Sequence, residues 1–228
     1  MTDEEILVLF QIIFSNIQNL GSIDLDFIGS QISNSSIVLL FEKFISQISD
    51  LEVLKLDFNR TKISSSGIKA LINNTKKFMD NLVEFELCLG STNVTDEDII
   101  SIFYPMPKAK YFYLHLKNTR ISDTIKILTN KIKKMENLND FRFYLPETNV
   151  TIETIFCLIE SLKHMKILYL DLGGIKINNE FIIKLDKLIG SKMKNLKEFY
   201  LELEQNLDQP GQDLLDKIHN DYPFSLQS

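Results

Sequence analysis

The chain has no tryptophan, two cysteines and three histidines in 228 residues. A disulfide needs close Cα atoms and facing Cβ vectors. The pattern described below sets Cys88 on a strand and Cys157 on a helix two repeats away, so two free thiols are expected. His115, His164 and His219 share no metal-ligand spacing with one another or with the cysteines. No serine lies in a Gly-x-Ser-x-Gly elbow. Gly173-Gly174 lacks the third glycine, and the lysine or downstream acid, of a nucleotide loop, so it reads as a turn. Nothing here argues for catalysis, a metal or a cofactor.

A basic block is missing too. Lysine plus arginine number 25 against 31 acids, a net charge of −6. Nucleic-acid binding needs many phosphate-neutralising cations, so no nucleic-acid partner is expected. The apolar stretch from Ile6 to Phe14 is interrupted by Gln11 and is too short to span a bilayer. Its leader, Met1-Thr2-Asp3-Glu4-Glu5, is acidic where a secretory signal is basic. Thr2 with Glu5 reads instead as a capping box opening a helix. The expectation is a cytoplasmic protein without membrane insertion. Glycosylation sequons at Asn34, Asn73, Asn93 and Asn149 are then decoys, and two of them are the turn-to-helix step of a repeat.

Against these absences stands an ordinary globular composition, 44% apolar and 25% charged. Lysine, asparagine and isoleucine are abundant, which fits an AT-rich genome better than any functional bias. One pattern, L-x-x-L-x-L-x-L, recurs seven times. The copies start near Leu20, Leu51, Leu82, Ala109, Leu138, Met165 and Leu196, spaced 31, 31, 27, 29, 27 and 31 residues apart. Alternation at period two marks a strand with one buried face. Twelve residues after each of the first six starts comes Ile32, Ile63, Val94, Ile121, Val150 or Ile177. Next comes a helix-capping type: Ser33, Ser64, Thr95, Ser122, Thr151 or Asn178. Apolar residues then return at helical spacing, as in Ile155, Leu158, Ile159 and Leu162. Each unit is therefore predicted as strand, turn, capped helix, turn.

This register resembles the leucine-rich-repeat family, in particular its ribonuclease-inhibitor-like class with a helix in every repeat. The resemblance covers residues 20–207 and implies an α/β solenoid of about seven repeats. A curved parallel sheet would form the concave face, with helices on the convex face. Residues 1–19 would form an N-terminal capping helix, and 208–228 a C-terminal cap and tail that complete the solenoid. The family's post-strand asparagine survives only as Asn59. Ser30, Thr61, Thr92, Thr119 and Thr148 recur ten residues after the start instead, and a hydroxyl ladder that satisfies the buried turn backbone is expected from them, the competing reading being solvent-facing turn residues.

Strand residues between the apolar positions point to the concave face and are free of packing duties on this reading. The first three repeats make an acidic region there with Asp24, Asp26 and Asp57. The last four place Tyr111, Tyr113, His115, Arg142, Tyr144, Tyr169 and Tyr200 in a contiguous stripe. Tyrosine and arginine dominate the energetic centres of protein interfaces, so these ten residues are the candidate protein-binding site. A cross-strand aromatic ladder that only stabilises the sheet is the competing reading. A calcium site on Asp24, Asp26 and Asp57 is disfavoured, because ion sites gather ligands from flexible loops. Lys131, Lys133, Lys134, Lys184, Lys187, Lys192 and Lys194 fall at helix ends, where the dipole favours cations; docking on an acidic filament is the sharper alternative.

The functional expectation is a non-catalytic interaction module or scaffold for a protein partner. By analogy with the family, it extends to a subunit of a large cytoskeletal or ciliary assembly. The alternative is a regulator of another enzyme, either an inhibitor or a GTPase activator. Asn59-Arg60 and Asn118-Thr119-Arg120 are its loop candidates.

Overall fold

Seven five-residue strands fall on the seven template copies: β1 (Ser22–Asp26), β2 (Val53–Asp57), β3 (Glu84–Cys88), β4 (Tyr111–His115), β5 (Asp140–Tyr144), β6 (Ile167–Asp171) and β7 (Glu198–Glu202). The computed structural model describes residues 3–14, 20–103, 106–204 and 207–223, without the side chains of Ile6, Phe14 and Lys77. All neighbours pair in parallel, in the order β1-β2-β3-β4-β5-β6-β7. Equivalent template positions lie opposite one another in every pair, so a position in the repeat becomes a row across the sheet. With the helices packed along its other side, this is a leucine-rich-repeat solenoid.

The inward rows are apolar because one face of each strand is covered. Leu54, Phe85, Phe112, Phe141 and Leu168 are sealed from solvent, as are Phe58, Leu89, Leu116, Leu145 and Leu172. Burying one such side chain is worth roughly 1.5–3 kcal/mol. Rings in neighbouring repeats meet inside the stack: Phe27 lies on Phe58 at 5.4 Å and Phe112 on Phe141 at 5.8 Å. No unit could bury these rings alone.

In four units helix length follows repeat length. In 31-residue units there is room for α3 (Ser65–Met79), 15 residues, and α7 (Asn179–Lys192), 14 residues. In 27-residue units α4 (Asp96–Ile102) has seven residues and α6 (Ile152–Ser161) has ten. The prediction of a regular capped helix in every unit needs correction. In the first unit α2 (Asn34–Leu39) passes into a π-helical turn over Leu40–Phe44 and a 3-10 turn over Ile45–Gln47. The fourth unit has a 3-10 segment at Asp123–Ile127 before a one-turn α5 (Leu128–Ile132).

The turn after each of the first six strands has a fixed conformation. Gly29, Arg60, Ser91, Asn118, Glu147 and Gly174 occupy one repeat position, and all have φ between 53° and 77°. The expected hydroxyl ladder is not a ladder between repeats. Thr61, Thr92, Thr119 and Thr148 each donate back to the carbonyl three residues earlier in their own turn, at 2.5–2.8 Å. They do satisfy turn backbone, but locally.

The cross-repeat ladder lies elsewhere, at the residue after three of the caps. Asn34 Oδ1 accepts the Ser64 and Gly67 amides at 2.9 and 3.1 Å. Asp96 accepts the Ser122 amide at 2.8 Å and also its hydroxyl. Asp123 accepts the Thr151 amide at 2.8 Å and its hydroxyl at 3.0 Å. Three of the predicted caps therefore turn their hydroxyls to the neighbouring repeat. Ser64, Ser122 and Thr151 make no side-chain cap of their own helix. Ser33, Thr95 and Asn178 do cap their helices, Thr95 in a full capping box with Asp98.

Two helices flank the repeats. The helix α1 (Asp3–Phe14) buries Phe10 against Phe27 and Phe44 and accepts the Ser33 amide on Asp3 Oδ1 at 2.9 Å. Val8, Leu9, Ile12 and Ile13 on its outer side are exposed. Thr2, the expected capping partner of Glu5, lies outside the described residues, as do 15–19 and 224–228. Asp208 stands where other units have isoleucine or valine. It caps α8 (Gln209–Asp221) through the Gly211 amide at 3.1 Å. The edge strand β7 is closed from this side: the Phe199 amide donates to the Tyr222 carbonyl at 3.0 Å, and the Leu201 amide to His219 Nε2 at 3.3 Å.

Candidate functional site

Three rows of side chains stand on the open face of the sheet. The first runs Ser22, Val53, Glu84, Tyr111, Asp140, Ile167, Glu198; the second Asp24, Lys55, Glu86, Tyr113, Arg142, Tyr169, Tyr200; the third Asp26, Asp57, Cys88, His115, Tyr144, Asp171, Glu202. All ten candidate residues lie on this one face, with the acidic three at the β1–β2 end and the aromatic group on β4–β7.

The tyrosines form a continuous stack that crosses between rows. Tyr113 meets Tyr144 at 5.1 Å, Tyr144 lies on Tyr169 at 4.7 Å, and Tyr169 on Tyr200 at 4.5 Å. His219 of α8 extends it, lying on Tyr200 at 5.9 Å. The expectation that open-face residues pack against nothing is corrected here. Tyr169 is only 7% exposed, between two rings, with its hydroxyl donating to Glu202 at 3.2 Å. The stack is thus a stabilising cross-strand ladder and an aromatic surface at once. Arg142 is held by Asp140 through two hydrogen bonds, 3.0 and 2.9 Å, and its guanidinium lies 5.1 Å from the Tyr111 ring. Burial pushes the Tyr111, Tyr113 and Tyr169 hydroxyls well above the usual phenol range, so they remain neutral donors.

The third row also ends the strands. Asp26, Asp57 and Asp171 each accept the amide two residues on, Ile28, Asn59 or Gly173, at 2.8–3.0 Å. Where β3 offers Cys88 instead, the corresponding Gly90 amide is taken by Asn59 Oδ1 at 2.6 Å. Where β5 offers Tyr144, the position two residues on is Pro146, which has no amide to satisfy. Asn59 thus does reach the next turn, as the resemblance implied. The same oxygen faces His115 Nδ1 at 2.9 Å, so Asn59 is an internal strut and not a presented loop residue. Lys55 bridges Glu86 at 2.8 Å and Glu84 at 3.7 Å, which breaks the acidic region in two.

Sequence spacing concealed one juxtaposition. The parallel register sets Cys88 beside His115, with Asn59 behind the imidazole. A cysteine, a histidine and an amide could suggest a nucleophile, but each is held in its inert form. Burial, then the Asp57 carboxylate, pushes the Cys88 thiol far above its ordinary value. Burial, then Lys117, draws His115 down to about 4. The thiol faces Asp57 and Tyr113, not the imidazole. A thiol that stays protonated beside a histidine occupied elsewhere is no dyad. Among the described residues, no group of three or more His, Cys, Asp or Glu side chains is arranged to hold a metal ion. None of their helices is long and apolar enough to cross a membrane.

The repeat register and the row-by-row face therefore define the class as a leucine-rich-repeat solenoid. No family model matches the chain, and no curated protein matches it. Similar solved structures include an internalin from Listeria monocytogenes str. 4b F2365, 13% identical, over 86% of this chain and 64% of that one, with a TM-score of 0.39. The chain thus spans a little under two thirds of that neighbour's length. A likeness this distant carries no function across.

Proposed function

We propose that the protein is a non-catalytic interaction module that binds a protein partner on the open face of its sheet. The observation that carries this reading is the Tyr113–Tyr144–Tyr169–Tyr200 stack with Arg142 beside it. A rigid array of amphipathic rings offers large contact area at little entropic cost. The quiescent state of Cys88 and His115 favours recognition over chemistry. In the same proposal, residues 20–207 are repeats of the ribonuclease-inhibitor-like class, on the strength of the full helices α3, α6 and α7. Residues 1–19 and 208–228 are their covers. The setting in the cytoplasm is an expectation from the N-terminal sequence, and that in a cytoskeletal or ciliary assembly an expectation of the resemblance alone; both stand outside the proposal.

The test compares the proteins co-purifying with the wild type, with Tyr144→Ala/Tyr200→Ala, and with a convex control, Lys184→Ala/Lys187→Ala. The expected result is a partner lost only from the tyrosine variant while its melting temperature stays within a few degrees of wild type. A partner list unchanged by the tyrosine pair, or altered by the lysine pair alone, overturns the reading.

A further inference from the structure

We propose that the open face takes an arginine-rich extended segment of its partner, with guanidinium groups paired with the carboxylates beside the tyrosine stack and set against the hydroxyl edges of its rings. This rests on the reading of the open face as the interaction surface, and it adds the chemistry of the occupant.

The first argument is charge. The three open-face rows hold nine carboxylates and two cations, a net of seven negative charges, whereas the whole chain carries −6. All the excess negative charge of the molecule therefore stands on one side of one sheet. Both cations are already engaged, Lys55 with Glu84 and Glu86, and Arg142 with Asp140. The third row contains no cation at all, and among the described residues no lysine or arginine forms an ion pair with Asp26, Asp57, Asp171 or Glu202. Asp57 and Asp171 are raised above the usual carboxylate range, by burial first and by neighbouring acids in part. A cation placed there would relieve both of them.

The second argument is geometric and singles out arginine. The face already contains one complete example: the Arg142 guanidinium over the Tyr111 ring, clasped by two bonds to Asp140. The Tyr144, Tyr169 and Tyr200 rings cover one another's faces, so this stack offers a ligand its hydroxyl edges, bordered by the carboxylates of Asp171 and Glu202. A planar guanidinium can grip a carboxylate through two parallel bonds, as Arg142 does, and still donate to a neighbouring phenol oxygen, whereas a lysine ammonium offers only a point charge. The rim sets the path. Lys110, Lys166 and Lys197 are exposed just before β4, β6 and β7, so a cationic chain is kept off that edge and runs across the strands along the second and third rows. Seven strands at about 4.8 Å span roughly 30 Å. That matches about nine or ten extended residues.

The test is fluorescence anisotropy of the full chain with three labelled ten-residue peptides, of alternating Arg-Ser, Lys-Ser and Glu-Ser. The expected result is that the arginine peptide binds, weakens as salt rises from about 20 to about 150 mM, and binds about fivefold tighter than the lysine peptide. Asp24→Asn/Glu202→Gln should weaken it about fivefold without shifting the melting temperature, since the amide oxygen introduced by the second exchange still accepts from the Tyr169 hydroxyl. Tyr200→Ala should bring the arginine peptide to the lysine level. No binding, equal binding of both cationic peptides, or indifference to these variants overturns the proposal. Binding of the glutamate peptide that is lost in Tyr200→Ala overturns the arginine preference while leaving the interaction surface standing, so the two failures are distinguishable.

Discussion

Left-handed backbone recurs at one place in each of the first six turns, yet only two of its six occupants are glycine. Arg60, Ser91, Asn118 and Glu147 take φ values of 58°, 56°, 53° and 58° there. An L-residue in that region carries roughly 1–2 kcal/mol of strain that glycine avoids. It persists because the turn amides are tied across repeats, for instance Arg60 N–H to the Gly90 carbonyl and Ser91 N–H to the Lys117 carbonyl. Gly29 isolates the effect, since a Cβ added there meets nothing within 4 Å. Gly29→Ala is expected to lower stability by about 1 kcal/mol through backbone conformation alone, whereas Gly21→Ala, with equally open surroundings and no positive φ, should cost far less. Urea unfolding of the two variants decides it, and equal midpoints would refute the conformational account. Nothing in the local sequence marks Arg60 or Glu147 as left-handed. Their conformation becomes visible only when the turns are laid over one another.

At the scale of elements, the sequence showed the strands better than what joins them. Period-two alternation from a fixed start determines which residues face in, and every one of the seven strands lies on its template copy. Helices were less legible, because their regularity does not follow repeat length: the first unit, 31 residues long like those of α3 and α7, passes into π-helical and 3-10 turns. The capping residues were found, but their bonding was not. Serine and threonine before a helix satisfy either their own first turn or a neighbour, and the choice depends on the residue that follows the cap in the preceding repeat. Where that residue is Asn34, Asp96 or Asp123, the bond crosses repeats. Ile152 cannot make it, and the cap after it, Asn178, turns back to the Phe181 amide at 3.0 Å. The open face was legible row by row, yet the Cys88–His115 contact and the burial of Tyr169 were not, since both depend on which neighbour lies alongside. Asp123→Ala removes the acceptor of the Thr151 amide and hydroxyl, and should cost about 1–2 kcal/mol. Glu153→Ala, an exchange on an adjacent helix without such a bond, is the control. Hydrogen exchange at the Thr151 amide should rise in the first variant and not in the second.

Over the whole molecule, the charge pattern and the closure of the last strand give stability a defined dependence on pH. His115 is drawn down to about 4 by burial and by Lys117, with Asn59, Tyr144 and Cys88 as its other neighbours. His219, which accepts the Leu201 amide at the β7 edge, is also lowered by burial, opposed by Asp216. A histidine whose folded value lies below the unfolded one contributes stability that is complete above the unfolded value and is lost as pH falls. For His115 that loss runs from about 6.5 down to about 4. It amounts to about 2 kcal/mol once partial solvent access is discounted. Asp57, Asp140 and Asp171 have the opposite sign: their folded values are raised, so their cost is present at neutral pH and is relieved as pH falls through them. The histidine loss should therefore dominate between about pH 6.5 and 5, and the carboxylates should blunt it below. Urea midpoints measured from about pH 7.5 to 4.5 are expected to fall mainly in that upper interval, with a smaller fall in His115→Gln. Protonating His219 removes the acceptor that closes β7, so the Leu201 amide should exchange faster than its β4 counterpart, Leu114, as pH drops, after correction for intrinsic rates. A midpoint flat across this range, or Leu201 protection that follows Leu114 throughout, would show that neither imidazole is linked to folding.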